Sequence, residues 1–307
     1  MSRLLAAALA LSVLAAGPCG CRSMLRVSPL ARWERSQVYQ PARYPNGNWF
    51  PAGLTFEDAW FAAEDGTQLH GWYVPHEDPR AVVLFAHGNA GNLSHRTETL
   101  RILHDRHRLS VLIFDYRGYG RSDGVPGERG LLQDARAARA WLAERARVSE
   151  RDIVLMGRSL GGGVTVDLAS SDGARGLVLA STFTSLPEVA DRLIPLVPAR
   201  LLMQDRFDSI SKLGSYEGPL LISHGDADEV IPYEMGRRLF DVHRGPKRFI
   251  TIPGGRHNSE QTEEYRRALD EFIDALPPPS SPAAAAAPHS ASLAPARADG
   301  SRDSTAP

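Results

Sequence analysis

Six short runs of continuously apolar residues constrain the fold of this chain more than any other feature of its sequence. A strand that is apolar at every position is buried on both faces, which is typical of parallel sheets covered by helices. Segments with apolar residues three and four apart separate most of the runs and predict the crossover helices that parallel strands need. The sequence therefore predicts an α/β fold with a mostly parallel, doubly wound sheet. The predicted strands are Ala81–Ala86, Val111–Phe114, Ile153–Met156, Leu177–Ala180, Leu220–Ser223 and Phe249–Ile252, and the predicted helices are Leu93–Arg106, Leu131–Arg147, Leu160–Ser170, Tyr233–Val242 and Glu260–Leu276.

Other segments depart from this alternation. Ala59–Ala62 and Leu69–Val74, joined by a Glu-Asp-Gly-Thr turn, predict an antiparallel hairpin before the parallel strands. Residues 182–216 interrupt the pattern with three prolines among apolar residues and predict a small cap. We expect one domain over 54–276, an irregular segment over 22–53, and a disordered Pro/Ala/Ser-rich tail over 277–307.

Composition excludes several classes of function. Lys and Arg number 35 against 36 for Asp and Glu, and no basic run is present, so nucleic acid is not an expected partner. Both cysteines, Cys19 and Cys21, precede the predicted domain, which therefore has no thiol for a disulfide, a thiolate metal site or a cysteine nucleophile. His104 and His107 share a helix that lacks the Glu partner of a metal site. We predict no metal and no cofactor.

The first 21 residues are typical of an export signal, with Arg3 before an apolar stretch and small residues after it. That stretch is too short to span a bilayer as a stable helix. Gly20 before Cys21 resembles the lipidation site of a bacterial lipoprotein, although Pro18 stands where that pattern prefers Leu. We therefore expect a protein of the bacterial cell envelope, associated with a membrane through a lipid on Cys21. A plain cleaved signal would instead make it periplasmic or secreted.

The run Gly157-Arg158-Ser159-Leu160-Gly161 lies between a predicted strand and a predicted helix. A strand that turns at once into a helix crowds its backbone, so small residues are needed on both sides of the central serine. The free N–H groups and partial positive charge at the start of the helix favour an oxyanion beside the serine Oγ. This setting predicts that Ser159 is a nucleophile.

A nucleophilic serine also needs donors for the oxyanion. In strand–serine–helix turns of this kind, one N–H comes from the residue after the nucleophile and another from a loop after an earlier strand. Here these would be Leu160 and Asn89, the latter in the loop His87–Asn92. His87 precedes a glycine turn, and we expect it to order that loop rather than to transfer protons.

Two further loops supply an acid and a base. His257 follows the last strand and two glycines, and the order Ser, Asp, His along the chain makes it the expected base. Asp226 and Asp228 both follow the strand Leu220–Ser223 and compete for the role of the acid. Asp228 is favoured because it lies deeper in its loop, whereas Asp226 directly follows a glycine and is placed to brace the turn. The loop Asp115–Ser122 is interpreted as structural, with Asp115 pairing to Arg117 or Arg121.

Taken together, these motifs resemble the α/β-hydrolase superfamily, and in particular its bud-emergence-type group, which includes the α/β-hydrolase-domain depalmitoylases. The resemblance covers residues 54–276 and implies the α/β-hydrolase fold, with the acid at Asp228 and the base at His257. Arg256 departs from the family, which usually has a small residue before the histidine. The motifs are His87–Asn92, Asp115–Gly120, Gly157–Gly162, Asp205–Ser209, and His224-Gly225 leading to Asp228 and Pro232.

The resemblance implies a hydrolase of esters, thioesters or amides, acting through an acyl-enzyme. Because the cap is rich in Leu, Ile, Val and Met, we expect it to bind an acyl group, which favours a carboxylic ester or thioester and a small or acylated substrate. A peptidase or amidase with the same three residues remains an alternative, as does a lipoprotein that uses the fold only for binding.

Overall fold

The computed structural model describes residues 29–193 and 199–280. Its centre is an eight-stranded sheet with the spatial order β8-β7-β6-β5-β3-β4-β2-β1. All pairings are parallel except β1–β2 and β2–β4, so the predicted hairpin forms one antiparallel edge. The strands are β1 Glu57–Ala62, β2 Gln68–Val74, β3 Ala81–Ala86, β4 Leu109–Phe114, β5 Val154–Arg158, β6 Gly176–Ala180, β7 Leu220–Gly225 and β8 Lys247–Ile252.

Helices cover both faces of this sheet, as the doubly apolar strands require. Residues of α2 and α9 pack in one apolar cluster, and residues of α3, α4 and α8 pack in the other. The stretch predicted as one helix from Leu93 is a 3-10 turn, a short α-helix and a π turn in succession. The helices are α1 Pro29–Val38, α2 Thr97–Arg101, α3 Glu128–Ala146, α4 Leu160–Asp172, α5 Leu186–Leu193, α6 Ala199–Leu202, α7 Ser209–Leu213, α8 Tyr233–Val242 and α9 Glu263–Asp274, with 3-10 turns at Leu93–Arg96 and Glu150–Asp152 and the π turn at Ile102–Arg106.

Two segments outside the predicted domain differ from expectation. Residues 22–53 were expected to be irregular, but α1 lies within them, and the two-residue strand that follows it pairs in parallel with Ala90–Gly91. The start of the expected tail is packed, because Ser280 donates hydrogen bonds to Asp152 and Arg175 donates to the carbonyl of Pro277. Cys21, the remainder of the expected signal and residues 281–307 lie outside the described residues.

The cap region between β6 and β7 contains α5, α6 and α7, all of them short. Residues 194–198 of this region are outside the described part of the chain. Glu34 from α1 packs against the cap, where its buried carboxylate accepts hydrogen bonds from the backbone N–H groups of Gln204 and Asp205. The N-terminal segment and the cap therefore hold one another over the sheet.

Candidate active site

Ser159 occupies the sharp turn between β5 and α4. Its backbone has φ 52° and ψ −118°, a left-handed conformation that is uncommon for a residue with a side chain. The turn is possible because a Cβ on Gly157 would lie 2.4 Å from the Gly161 carbonyl oxygen, and one on Gly161 would lie 2.0 Å from the Ala86 carbonyl oxygen. The two glycines of the motif are thus required by close backbone approach.

His257 and Asp228 complete a hydrogen-bonded chain with this serine. The His257 Nε2 atom lies 3.2 Å from the Ser159 Oγ atom, and Nδ1 lies 2.8 Å from the Asp228 Oδ2 atom. These residues come from three different strand ends, at β5, β7 and β8, which the parallel sheet brings to one edge. The structure therefore brings together the three residues that the sequence singled out.

Asp228 is held as a carboxylate by its surroundings. Its side chain is fully buried, and Oδ1 accepts hydrogen bonds of 2.9 Å from the backbone N–H groups of Val230 and Ile231. His224 Nε2 lies 3.3 Å from Oδ2 and also donates to the Ile231 carbonyl. Burial opposes ionisation, but the hydrogen bonds from His224, His257 and Ile231 outweigh it and hold the pKa of Asp228 well below its usual range.

The competing acid, Asp226, does not contact the histidine. Its Oδ1 accepts a 2.6 Å hydrogen bond from the Gly254 backbone N–H and so joins the two loops that carry Asp228 and His257. Arg256 forms an ion pair with Glu229 at 3.4 Å, and its side chain is 71% exposed. Its charge is therefore partly matched by a neighbouring carboxylate.

The loop His87–Asn92 lies against the serine. A Cβ on Gly88 would be 3.6 Å from the Ser159 Cβ, and Asn89, Ser159 and Leu160 line the same cavity. Leu160 is the first residue of α4, where a backbone N–H has no acceptor within the helix. The two residues expected to donate to an oxyanion thus lie beside Ser159.

His87 and Asp115 lie side by side beneath this loop, without a hydrogen bond between their side chains. The His87 Nδ1 atom donates a 2.7 Å hydrogen bond to the Gly88 carbonyl, and Nε2 lies 3.5 Å from Asp115 Oδ1. Asp115 also accepts a 2.8 Å bond from the Leu93 backbone N–H. The expectation that Asp115 pairs with Arg117 or Arg121 is wrong. The Arg117 guanidinium is instead held by Asp134 and Asp65, and Arg121 lies 3.7 Å from Asp58.

The N-terminal segment contributes to the site in a way that the sequence did not reveal. The Asn89 side chain donates to the Val38 carbonyl, and its Oδ1 accepts hydrogen bonds from the Gln40 backbone N–H at 3.2 Å and the Tyr119 hydroxyl at 2.9 Å. These partners are up to 51 residues away along the chain, and no local motif marks them. The sequence pointed only to Asn89, as an expected oxyanion donor, and not to its contacts with the N-terminal segment.

An apolar cavity of about 270 Å³ opens beside Ser159. Cap residues line one side of it and the N-terminal segment, including Glu34 and Val38, lines another. Seven apolar residues of the cap were expected to offer a surface to the acyl group: Leu193, Ile194, Leu196, Val197, Leu201, Leu202 and Met203. Of these, Leu201 is 85% exposed and does not line the cavity, and Ile194, Leu196 and Val197 lie outside the described residues. The apolar side chains around the cavity include Phe183, Leu186, Val189, Leu193, Leu202, Met203 and Ile231.

Within residues 29–193 and 199–280, no cluster of three or more His, Cys, Asp or Glu side chains is arranged to hold a metal ion. Over the same residues, none of the helices is long and apolar enough to cross a membrane.

The sequence of this chain is similar to those of known proteins. Residues 77–208 match the family model described as serine aminopeptidase, S33. An uncharacterized protein of Mycobacterium tuberculosis is 39% identical over 242 residues, which cover 77% of this chain and 85% of the relative. The α/β-hydrolase domain-containing protein WAV2 of Arabidopsis thaliana is 30% identical, with 75% and 83% covered.

A solved structure is similar to this chain in fold. An esterase of Pyrococcus furiosus superposes with a TM-score of 0.64 at 19% identity, covering 78% of this chain and 98% of the esterase. The fold and the site define a hydrolase of the α/β class. The chain belongs to the α/β-hydrolase superfamily, as the sequence motifs predicted.

Proposed function

We propose that the protein is a serine hydrolase that cleaves carboxylic esters or thioesters through an acyl-enzyme. The observation that carries this proposal is the continuous hydrogen-bonded chain from Ser159 Oγ through His257 to Asp228. A binding module would not require the nucleophile, the base and the acid in this geometry.

In the proposed mechanism, Ser159 Oγ attacks the acyl carbonyl while His257 Nε2 accepts the hydroxyl proton. Asp228 holds the imidazole with Nδ1–H toward the carboxylate and stabilises the imidazolium that forms. The backbone N–H groups of Asn89 and Leu160 donate to the tetrahedral oxyanion. His257 then gives the proton to the leaving oxygen or sulfur, and water, activated by the same histidine, cleaves the acyl-enzyme.

The lining of the cavity supports an acyl substrate. Removing an apolar chain from water into this space is favourable by about 25 cal/mol per Å² of apolar surface buried. Its volume of about 270 Å³ suits a chain of moderate length better than a bulky headgroup. The Pyrococcus furiosus protein with a similar fold is an esterase, which is consistent with this substrate class.

Peptide cleavage is the second candidate, because the matching family model is described as a serine aminopeptidase. An aminopeptidase must bind a free α-amino group, for which a carboxylate near the nucleophile is the natural partner. Glu34 lines the cavity, but its oxygens already accept backbone N–H groups from the cap. Ester or thioester cleavage is therefore the function that we favour.

The proposal is tested by comparing the native protein with Ser159→Ala. A fluorophosphonate probe should label the native protein alone, and kcat for nitrophenyl esters should fall by roughly 10⁴-fold or more in the variant. A series of nitrophenyl esters of increasing chain length, set beside aminoacyl nitroanilides, separates an esterase from a peptidase. Equal labelling of both proteins, or faster turnover of the nitroanilides, would contradict the proposal.

A further inference from the structure

A second cavity lies near the reacting residues but is separate from the apolar one. It has a volume of about 340 Å³ and opens where β3, β5 and β6 end, between the segment around α2 and the loop that leads into α9. Its walls combine apolar side chains such as Phe85 and Met156 with charged ones. The charged residues include three arginines and two glutamates: Arg96, Arg158, Arg266, Glu98 and Glu260. Ser159 does not line it.

Two of these arginines, Arg96 and Arg158, are anchored by backbone carbonyls rather than by acids. Arg158 donates a 2.7 Å hydrogen bond to the carbonyl of His257, and Arg96 donates to the carbonyl of Ala90. Within the described residues, neither guanidinium has a carboxylate within 4.0 Å. The nearby acid Glu98 pairs with Arg101 instead. The third arginine, Arg266, pairs with Glu263. Among the described residues, Arg96 and Arg158 thus share the cavity without an ion-pair partner of their own.

This arrangement is unfavourable as it stands. The Arg96 Nε atom is buried and has no hydrogen-bond partner among the described residues. Burial lowers the pKa of both guanidinium groups, and the charge on Arg158 lowers the pKa of Arg96 further. Because arginine stays protonated in proteins, the two positive charges remain at neutral pH. A buried donor without an acceptor destabilises the protein, and an anion with oxygen acceptors would relieve this cost.

We propose that this cavity binds a small organic anion whose carboxylate or phosphate group lies between Arg96 and Arg158. Guanidinium groups present paired N–H donors that match the oxygens of both anion types. The Gln261 side chain also lines the cavity, and its Oε1 is buried without a partner among the described residues, so a hydroxyl on the ligand would satisfy it. The apolar walls give the organic body of the ligand a place to pack.

The site is connected to both sides of the reacting serine. Arg158 contacts the carbonyl of His257, and Arg96 contacts the carbonyl of Ala90 in the loop that carries Asn89. An anion that draws the guanidinium groups toward itself would therefore shift two parts of the site together, namely His257 and the loop that carries Asn89. This second part of the inference rests on the proposed function, whereas the binding itself does not.

Binding is tested directly by calorimetric titration of the full chain with benzoate, phenyl phosphate and inorganic phosphate at constant ionic strength. Benzamide serves as the uncharged probe. We expect saturable 1:1 binding of at least one of the two aromatic anions and none of benzamide. The carboxylate and phosphate arms identify which group the site prefers, and the inorganic ion shows how much the organic body contributes.

The matched variants are Arg96→Gln and Arg158→Gln, with Arg267→Gln as the control. Arg267 is an exposed arginine on α9 that does not line the cavity. Each cavity variant should weaken binding about 10-fold or more, which is the size of one lost charge-assisted hydrogen bond, and the control should stay within about 2-fold. Circular dichroism checks that each variant is folded.

Thr99→Glu provides a second test that leaves both arginines in place. Thr99 lines the cavity and is half-buried, so a carboxylate there would compete with the anion and should abolish binding. Unchanged affinity in Thr99→Glu and in whichever arginine variants fold, or no saturable binding to the native protein, would overturn the proposal. Turnover measured with and without the bound anion tests the coupling. Binding without any change in kcat or KM removes the coupling alone.

Discussion

His257 with Asp228 and His87 with Asp115 are two histidine–aspartate pairs at the strand ends, and they have different surroundings. In one, His257 Nδ1 lies 2.8 Å from Asp228 and Nε2 faces the Ser159 hydroxyl. In the other, His87 Nε2 lies 3.5 Å from Asp115, and both side chains are fully buried. The same two residue types thus form an accessible pair beside the serine and a sealed pair below it. Residue identity alone does not assign a role in proton transfer.

The sealed pair holds the two ends of the oxyanion loop. His87 donates to the Gly88 carbonyl at the start of the loop, and Asp115 accepts the N–H of Leu93 just after its end. The rings of Tyr116 and Tyr119 pack over His87, with centroids 4.6 and 5.7 Å away. Because His87 is fully buried under these rings, we infer that it stabilises the loop and that the proposed proton transfer falls to His257.

The largest expected effect is that of Asp228→Asn. The asparagine oxygen can still accept the N–H groups of Val230 and Ile231, which leaves the NH₂ group facing His257 Nδ1. Because that nitrogen must then be an acceptor, Nε2 carries the proton and cannot take one from Ser159. We expect kcat for an ester to fall by about 10⁴-fold, as in triads where this change has been made, with the fold intact. Steady-state kinetics and circular dichroism measure both outcomes.

Asp226→Asn is the matched control, since it changes a neighbouring aspartate that contacts Gly254 rather than the histidine. It should retain kcat within about 10-fold, an allowance for a small shift of the loop. Similar losses in both variants would show that loop stability, and not the acid beside His257, limits turnover.

A smaller effect is expected from Asp115→Ala in the sealed pair. Its buried partner, the Leu93 N–H, would lose its acceptor, which costs about 1 to 3 kcal/mol in free energy of unfolding. The loosened loop should lower kcat by roughly 10- to 100-fold, because misplacing a reacting group by about 1 Å has an effect of that size. Urea denaturation and ester kinetics measure the two quantities.

Asp115→Asn separates the two roles, because its amide oxygen can still accept from Leu93. We expect it to recover most of the stability and most of kcat. If Asp115→Asn abolished turnover in a folded protein as completely as Asp228→Asn, the distinction between the two pairs would fail.

The sequence predicted the scaffold well because the scaffold depends on local patterns. A strand that is buried on both faces must be apolar throughout, and all six predicted parallel strands are present with ends that differ by at most two residues. Ser159, Asp228 and His257 follow three of these strands, and the parallel arrangement brings such positions to one edge. Their proximity therefore follows from patterns that can be read along the chain.

Contacts between distant segments could not be predicted in this way. The Asn89 side chain meets Val38 and Gln40 only because α1 lies over the site, and nothing in residues 22–53 indicated that packing. His224 was noted only as a part of a motif, yet it lies beside Asp228. The partner of Asp115 was predicted wrongly because Arg117 is two residues away along the chain, whereas His87 is brought to it by the pairing of β3 with β4.

The smallest expected effect concerns the pH dependence of stability in the accessible pair. Burial of Asp228 opposes its ionisation, but hydrogen bonds hold its pKa well below the usual value of about 3.9. A carboxyl whose pKa is lower in the folded than in the unfolded protein stabilises the fold above the unfolded value, and this stability is lost as the pH falls through the folded value. The free energy of unfolding of Asp228→Asn should therefore be lower than that of the native protein by on the order of 1 kcal/mol. We expect this difference to stay constant from pH 7 to about pH 4 and to become smaller at lower pH. Urea denaturation of both proteins at several pH values measures this difference. If the difference disappeared already between pH 7 and pH 5, the hydrogen bonds would not lower the pKa of Asp228 in the folded protein.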